Sequence, residues 1–377
     1  MTALAENTSR TRQVDTNIRA YPVGAAEHIY AGSYVGIDPA GYLKTFEPCD
    51  MFVGISYEEF DNSDGAAGAA NPGNGETRCR VHVEGDFELT LASIAKTDRG
   101  KPVYATDDNA LSLTGHPDAF VGTILHYESS TTGVIRLRKP FEKAPVDGSS
   151  IDLFADFAQF SMVDQAETAW LFPNGFKTYG VGAGLTAAAT GFTVDDAIGE
   201  LEMLLDNDNE AEGLAFETQQ VFNITKGITF EMLGRNKTAS ASATGDLDFG
   251  LMGLAAGITT TERADMHVAT AGLLSCLFHL DCDALDIFGY SDDNASPIAV
   301  TDTLINNSLT VNKLHRINCR VGGACELWID NVHVLTTTLF SVGAAGLLAG
   351  ICNIEKDATT DVPEIRIRRF RTAGAIA

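Results

Sequence analysis

The sequence predicts an all-β protein built as two domains, and three observations carry that expectation. Short apolar runs alternate with polar residues at strand period from Tyr21 to the C-terminus. Glycine, Asp and Asn punctuate those runs, and 36 glycines against 11 prolines indicate tight turns rather than disorder or a collagen-like repeat. The length, 377 residues, exceeds what one hydrophobic core usually fills.

Taken in order, residues 1–20 are polar and aperiodic and read as an extended arm. Between residues 21 and 143 the runs are short. Tyr34-Val35-Gly36-Ile37 is followed by the β-turn Asp38-Pro39-Ala40-Gly41 and then by Phe52-Val53-Gly54-Ile55. A Gly/Ala/Asn loop, 61–75, is too poor in large side chains to form a core. Val81 and Val83, then Phe87, Leu89 and Leu91, keep strand alternation; Ile135 and Leu137 share one face, with Arg136 and Arg138 on the other.

Residues 144–150, Ala-Pro-Val-Asp-Gly-Ser-Ser, read as a linker. Phe154, Phe157 and Phe160 in the next stretch suggest one short helix between Ile151 and Val163. Strand signals then recur through 151–377: Leu201/Met203/Leu205, Ile228/Phe230/Met232, Phe249/Leu251, Cys276/Phe278/Leu280, Ile317/Cys319/Val321, Leu327–Ile329 and Ile365/Ile367. Many short strands with Gly and Asx turns imply a two-sheet sandwich.

Net charge is −25; residues 1–143 hold 20 acidic and 13 basic side chains, a net of −7, and the remainder holds −18. Duplex binding depends on Lys and Arg displacing phosphate counterions, so direct contact with nucleic acid is not expected. Seven cysteines, an odd number without C-x-x-C spacing, argue against a disulfide framework or a zinc site and for free buried thiols in a reducing cytoplasm. The first 20 residues lack the apolar stretch of a secretory signal, and no window is apolar enough to insert in a membrane.

The first domain resembles the capsid-cement, or head-decoration, family of tailed phages. The resemblance rests on pieces in the family's order: Gly32-Ser33-Tyr34-Val35, the turn to Gly41, Phe52–Ile55, Val81-His82-Val83-Glu84-Gly85, Arg99-Gly100-Lys101-Pro102-Val103-Tyr104-Ala105-Thr106-Asp107, Val121-Gly122-Thr123-Ile124 and Val134–Leu137. The Gly100–Asp107 segment is the most specific, and the match covers about 120 residues. It implies a small β-barrel-like decoration domain that trimerises on the outer capsid surface, with the major capsid protein as partner. Arg10, Arg12 and Arg19 of the arm are candidate capsid contacts.

The second domain is similar to the concanavalin-type jelly roll of lectin and laminin-G-like sandwiches. The resemblance lies in Asn318–Asp330, a strand, the Gly322-Gly323 turn and a second strand, with Asn331 where glycine is usual. It implies a jelly-roll β-sandwich and a host-surface glycan as a candidate ligand.

Chemistry is sparse. Glu200 and Glu202 share one strand face, as a glycosidase pair must, but Leu201, Met203 and Leu205 would then be the core face and leave both glutamates in solvent. Calcium has the better candidate: Asp206, Asp208, Glu210 and Glu217 stand at positions 1, 3, 5 and 12 of an EF-type loop, with Glu212 at position 7. Ala211 replaces the usual glycine at position 6, and a solvated acidic turn is the commoner explanation. His82 and His279 read as packed or exposed strand residues, and Trp328 as a core residue. Arg366, Arg368, Arg369 and Arg371 read as the charged outer face of a final strand. No catalytic residue and no resident cofactor is expected; the chain reads as a structural virion protein.

Overall fold

The computed structural model describes residues 11–12, 17–62, 75–138, 150–156, 170–171, 176–181, 191–195, 200–205, 209–238, 245–258, 266–281, 285–360 and 362–376. Strands dominate throughout, interrupted among the described residues only by single turns of 3-10 helix. The chain divides into two compact units, Met1–Ile151 with Gly374–Ile376, and Asp152–Ala373. The linker stretch 144–149 and most of the Gly/Ala loop lie outside the described residues.

In the first unit one long strand, Arg78–Thr90, organises a curled antiparallel sheet. Its first half pairs with Asn17–Pro22 and with Met51–Ser56; its second half pairs with Thr132–Leu137 and Thr11–Arg12. Over its described residues the expected arm is therefore part of the sheet. Alternation on the long strand sends Cys79, Val81 and Val83 into one core with Val23, Ile29, Val35 and Leu43. Phe87 and Leu89 enter a second core with Tyr34, Phe52, Tyr104, Phe120 and Ile135.

The glycine of Phe52-Val53-Gly54-Ile55 is a packing requirement, because a Cβ there would lie 2.1 Å from the His82 carbonyl oxygen. The turn at Asp38 forms as expected: Gly41 takes φ 92°, and the Tyr42 N–H donates to Asp38 Oδ1 at 2.9 Å. On the outer face Arg136 grips Asp86 with two bonds of 2.9 and 3.0 Å across directly paired strands.

The second unit is a two-sheet sandwich. Sheet I runs, in spatial order, Gly191–Asp195, Glu200–Leu204, Glu364–Ala375, Ile228–Thr238, Lys313–Cys319, Ala324–Ile329 and Val332–Val334. Sheet II runs Trp170–Leu171, Phe176–Val181, Glu210–Thr218, Leu347–Thr359, Gly245–Leu254, Leu273–Asp281, Asp286–Asp292 and Ile298–Asn306. The sheets meet through interlocked aromatics. Phe370 of sheet I stands edge-on to Phe216 and Phe176 of sheet II, with centroids 5.1 and 5.9 Å away. His315 of sheet I packs on Phe249 and Phe278 of sheet II at 4.8 and 5.3 Å. Gly350 lets the layers approach, since a Cβ there would meet the Thr372 hydroxyl at 1.9 Å.

One expectation is corrected. Residues Ser150–Asp156 form a strand, so the described part of the stretch expected to be helical is extended; its phenylalanine spacing, read as a helical stripe, was too short to separate the two periods. The hairpin expected at Asn318–Asp330 forms between the strands Lys313–Cys319 and Ala324–Ile329, and Val321, expected on the strand, falls in its turn. Gly322 and Gly323 take φ 92° and 85°, and the next turn is built by Asp330 at 50° and Asn331 at 64°. Asn tolerates that left-handed region better than most residues, so glycine is not needed there.

Candidate functional site

The outer face of sheet II carries a cluster that begins with strand alternation. In Gly245–Leu254, Leu247, Phe249 and Leu251 point into the sandwich, so Asp246 and Asp248 point away from it. Register places Asp248 opposite His279 on one neighbouring strand and Asn353 on the other, and Asp246 opposite Glu355. The chain then leaves Leu254, and Met266 returns over the same face. Met266 is fully buried against Met252, Leu254, Leu273, Leu277, Tyr290 and Ile351. That anchor delivers the next residue, His267, onto Asp248.

The Asp248 carboxylate is completely enclosed and receives one bond from each histidine: His267 Nδ1 donates to Oδ2 and His279 Nδ1 to Oδ1, both at 2.9 Å. A carboxylate can only accept, which sets the tautomer of both rings. The rings lie against each other at a tilt of 34°, with centroids 4.0 Å apart. On its other side His267 Nε2 is 3.9 Å from Asp246 Oδ2.

Electrostatics follow from the geometry. Burial raises the Asp248 pKa, but the two imidazole bonds outweigh it and hold the carboxyl below its ordinary range. Burial likewise opposes charge on His267, yet Asp248, Asp246 and Glu355 push its pKa up to about 9. Tyr290 is raised by burial and then by Asp292 and Asp248. The Cys352 thiol, on the inward face, is raised by burial and by Asp248. The result is a buried anion clamped between two imidazoles, with His267, Asp246 and Glu355 forming a half-buried rim. Among the described residues, two sets of three side chains place potential metal-ligating atoms within 4.8 Å of one another: Asp248, His267 and His279, and Asp246, His267 and Glu355.

The residues singled out in the sequence fall elsewhere. Asp206 and Asp208 lie outside the described residues, while Glu210 and Glu217 are on the single strand Glu210–Thr218. Seven residue steps of extended chain separate those two by about 23 Å. Glu212 is fully buried and ion-paired with Lys356 at 3.3 Å. Glu200, expected in solvent, is buried: Arg235 and Asn312 each donate to it at 2.8 Å. Glu202 is held by Arg366, which also binds Glu364. Arg316 and Arg371 share Glu231.

The outer face of sheet I is thus an arginine–carboxylate lattice to which Arg366 and Arg371 of the final strand contribute, while Arg368 and Arg369 are exposed. Leu201, Met203 and Leu205 are the core residues they were expected to be. Trp328 is buried but on the outer face, stacked on His333 at 4.7 Å. His82 packs edge-on to Tyr57 and Phe87. His279, read as an ordinary strand residue, is instead a member of the cluster. Asp248 and His267 went unread; the available signal was a carboxylate at a buried position of an apolar strand, which requires a partner.

No known family model matches the chain, and neither does any curated protein. Solved structures give remote likenesses. The carbohydrate recognition domain of Emp47p is similar at 12% identity and a TM-score of 0.42, over 60% of this chain and 95% of that one. A Shewanella oneidensis MR-1 protein of unknown function aligns at 9% identity and 0.41, over 62% and 90%. Alginate lyase AlgAT5, of polysaccharide lyase family 7, aligns at 12% and 0.36, over 49% and 83%. Likeness at this level assigns no activity, and the sandwich rests on its own strand pairing.

Proposed function

We propose that this chain is a non-enzymatic surface protein of a tailed-phage head, in which the first unit attaches to the shell and the sandwich binds saccharide through the outer face of sheet II. The saccharide reading is carried by the contrast between the two outer faces. On sheet I, Glu200, Glu202, Glu231, Glu326 and Glu364 are each paired with an arginine. Sheet II instead carries the His267 and His279 rings, with Phe288 against His279, on the same face as the partly exposed carboxylates of Asp246 and Glu355. A sugar ring offers an apolar C–H face for stacking and adjacent hydroxyls for carboxylates, and that pairing matches this surface.

Binding without turnover is favoured because the best oriented carboxylate, Asp248, is enclosed, whereas an acid–base catalyst must reach the atom it protonates. Glu200 and Glu202 are engaged by Arg235 and Arg366.

Attachment to a phage shell is supported by the residues Arg99–Asp107. Pro102–Ala105 is a strand of the curled sheet, and Asp107 Oδ1 accepts the Asn109 N–H to close the following turn. A trimer fixed at symmetric lattice positions would multiply weak contacts through effective concentration. The acidity of the chain supports an outer position, away from packaged DNA.

Two assays on the full chain test this reading. Glycan-array binding should be retained by Glu231→Gln and reduced at least tenfold by Glu355→Gln, with no release of reducing ends; a chain that binds no glycan, or cleaves one, contradicts it. Purified protein should co-sediment with undecorated heads as a trimer, and a monomer that stays in the supernatant removes the attachment.

A further inference from the structure

We infer that Asp246, the Nε2 of His267 and Glu355 form a binding site for a borderline divalent cation of the Zn²⁺ type, with Asp248 as the buried carboxylate that aims the imidazole. This goes beyond saccharide binding and stands without it.

The three donors come from separate pieces of chain. Asp246 and Glu355 are cross-strand partners on the outer face of sheet II, and His267 is brought over them by the Met266 anchor. Their ligand atoms lie within 4.8 Å of one another, and His267 Nε2 to Asp246 Oδ2 is 3.9 Å. Tetrahedral Zn²⁺ with bonds of about 2.0–2.2 Å needs ligand atoms about 3.3–3.6 Å apart, so each pair of ligand atoms has to close by at most about 1.5 Å to hold an ion.

Asp248 supplies the independent observation. Metal-binding imidazoles characteristically donate their second ring N–H to a carboxylate, which fixes the ring and raises its basicity. His267 does this through Nδ1 to a fully buried oxygen at 2.9 Å, leaving Nε2 as the atom on the Asp246 and Glu355 side. The enclosure matters, because a carboxylate hidden from solvent cannot itself be a competing outer ligand for a hydrated ion.

The alternative grouping, Asp248 with His267 and His279, uses oxygens already taken by the two Nδ1 atoms, so it fits the supporting layer rather than the ligand set. One imidazole with two carboxylates suits Zn²⁺ or Mn²⁺ better than Ca²⁺, which prefers six to eight oxygens. A bound cation would take the place of the positive charge that these carboxylates otherwise draw onto His267.

The test is calorimetric titration of ZnCl₂ into chelator-treated full-length protein, with CaCl₂ as a parallel titrant. One Zn²⁺ per chain is expected. Asp246→Asn/Glu355→Gln should weaken it at least tenfold, and Asp248→Asn by about 10–100-fold while leaving the ligands in place. Melting of each metal-free variant is followed alongside; if the double variant does not fold, Glu355→Gln alone, on the half-buried rim, carries the comparison. Absent stoichiometric Zn²⁺ binding, binding unchanged by these substitutions, or a preference for Ca²⁺ would each overturn the assignment.

Discussion

The two faces of sheet II use the same strands to opposite ends. On the inward face, Phe249 and Phe278 enclose His315, and burial drives that imidazole's pKa down to about 4, a fall that the charge of Asp330 and the Met232 and Lys313 backbone oppose without reversing. One residue along the same strands, Asp248 and His279 face outward and draw in His267, whose pKa rises to about 9 despite burial. Histidine is thus a neutral packing residue on one face and a cation on the other. A neighbouring carboxylate, not residue type or burial alone, decides which.

The comparison breaks most easily on its apolar side. Phe249→Ala should remove an aromatic contact at the centre of the sandwich and cost about 4 kcal/mol. Urea unfolding of the isolated chain would register this as a lower midpoint with little change in slope; a loss under 1 kcal/mol would mean the sheets are not packed there as described.

On the polar side, Asp248→Asn should cost about 3 kcal/mol near pH 6, because it leaves the buried His279 and the half-buried His267 facing a neutral group. The sign with pH is fixed by His267. Its folded pKa, about 9, lies above the ordinary 6.5, so its contribution is full below pH 6.5 and is lost as pH rises through 9. The wild-type advantage over the variant should therefore shrink between those limits.

His315 predicts the opposite slope. Its folded pKa of about 4 lies below the ordinary 6.5, so its contribution is full above pH 6.5 and falls as pH drops toward 4. The integrated loss is about 3 kcal/mol at most, since each pKa unit is worth about 1.4 kcal/mol. His315→Leu should abolish this part of the acid sensitivity, so variant and wild type diverge below pH 6.5 and run parallel above it. Identical acid profiles would place His315 in water.

The smallest effect concerns thiols. Cys49, Cys79, Cys276, Cys319, Cys325 and Cys352 are all buried, and burial raises Cys79 to about 11 and drives Cys352 higher. For Cys319 the hydrogen bond with the directly opposed Cys325 is the larger cause of the rise, and burial adds to it. A thiol reagent at pH 7.5 should modify these six at least a hundredfold more slowly in the native chain than in denaturant. Rapid labelling of any one would expose a local opening of its sheet.

Much of this architecture was legible because alternation is local. Leu201/Met203/Leu205 and Cys276/Phe278/Leu280 announced both strand and inward face, and Asp330-Asn331 announced a turn that tolerates positive φ. The site was not legible for the same reason. Asp248 gains its meaning from His279, 31 residues away, and from His267, carried on a connection between strands. Glu200 was misplaced into solvent because its partners, Arg235 and Asn312, are 35 and 112 residues distant. Strand period predicts which side a residue leaves the sheet, but not what will cover that side. On sheet I the cover is a lattice of arginines; on sheet II it is Met266 and His267.

The most direct test of the account is imidazole titration by heteronuclear NMR on the metal-free chain, with resonances assigned by His267→Gln and His315→Leu. His267 is expected to titrate above pH 8, and His315 to stay neutral down to pH 5 or below. Both titrating near 6.5 would contradict this, because the two faces of sheet II would then offer histidine the same surroundings.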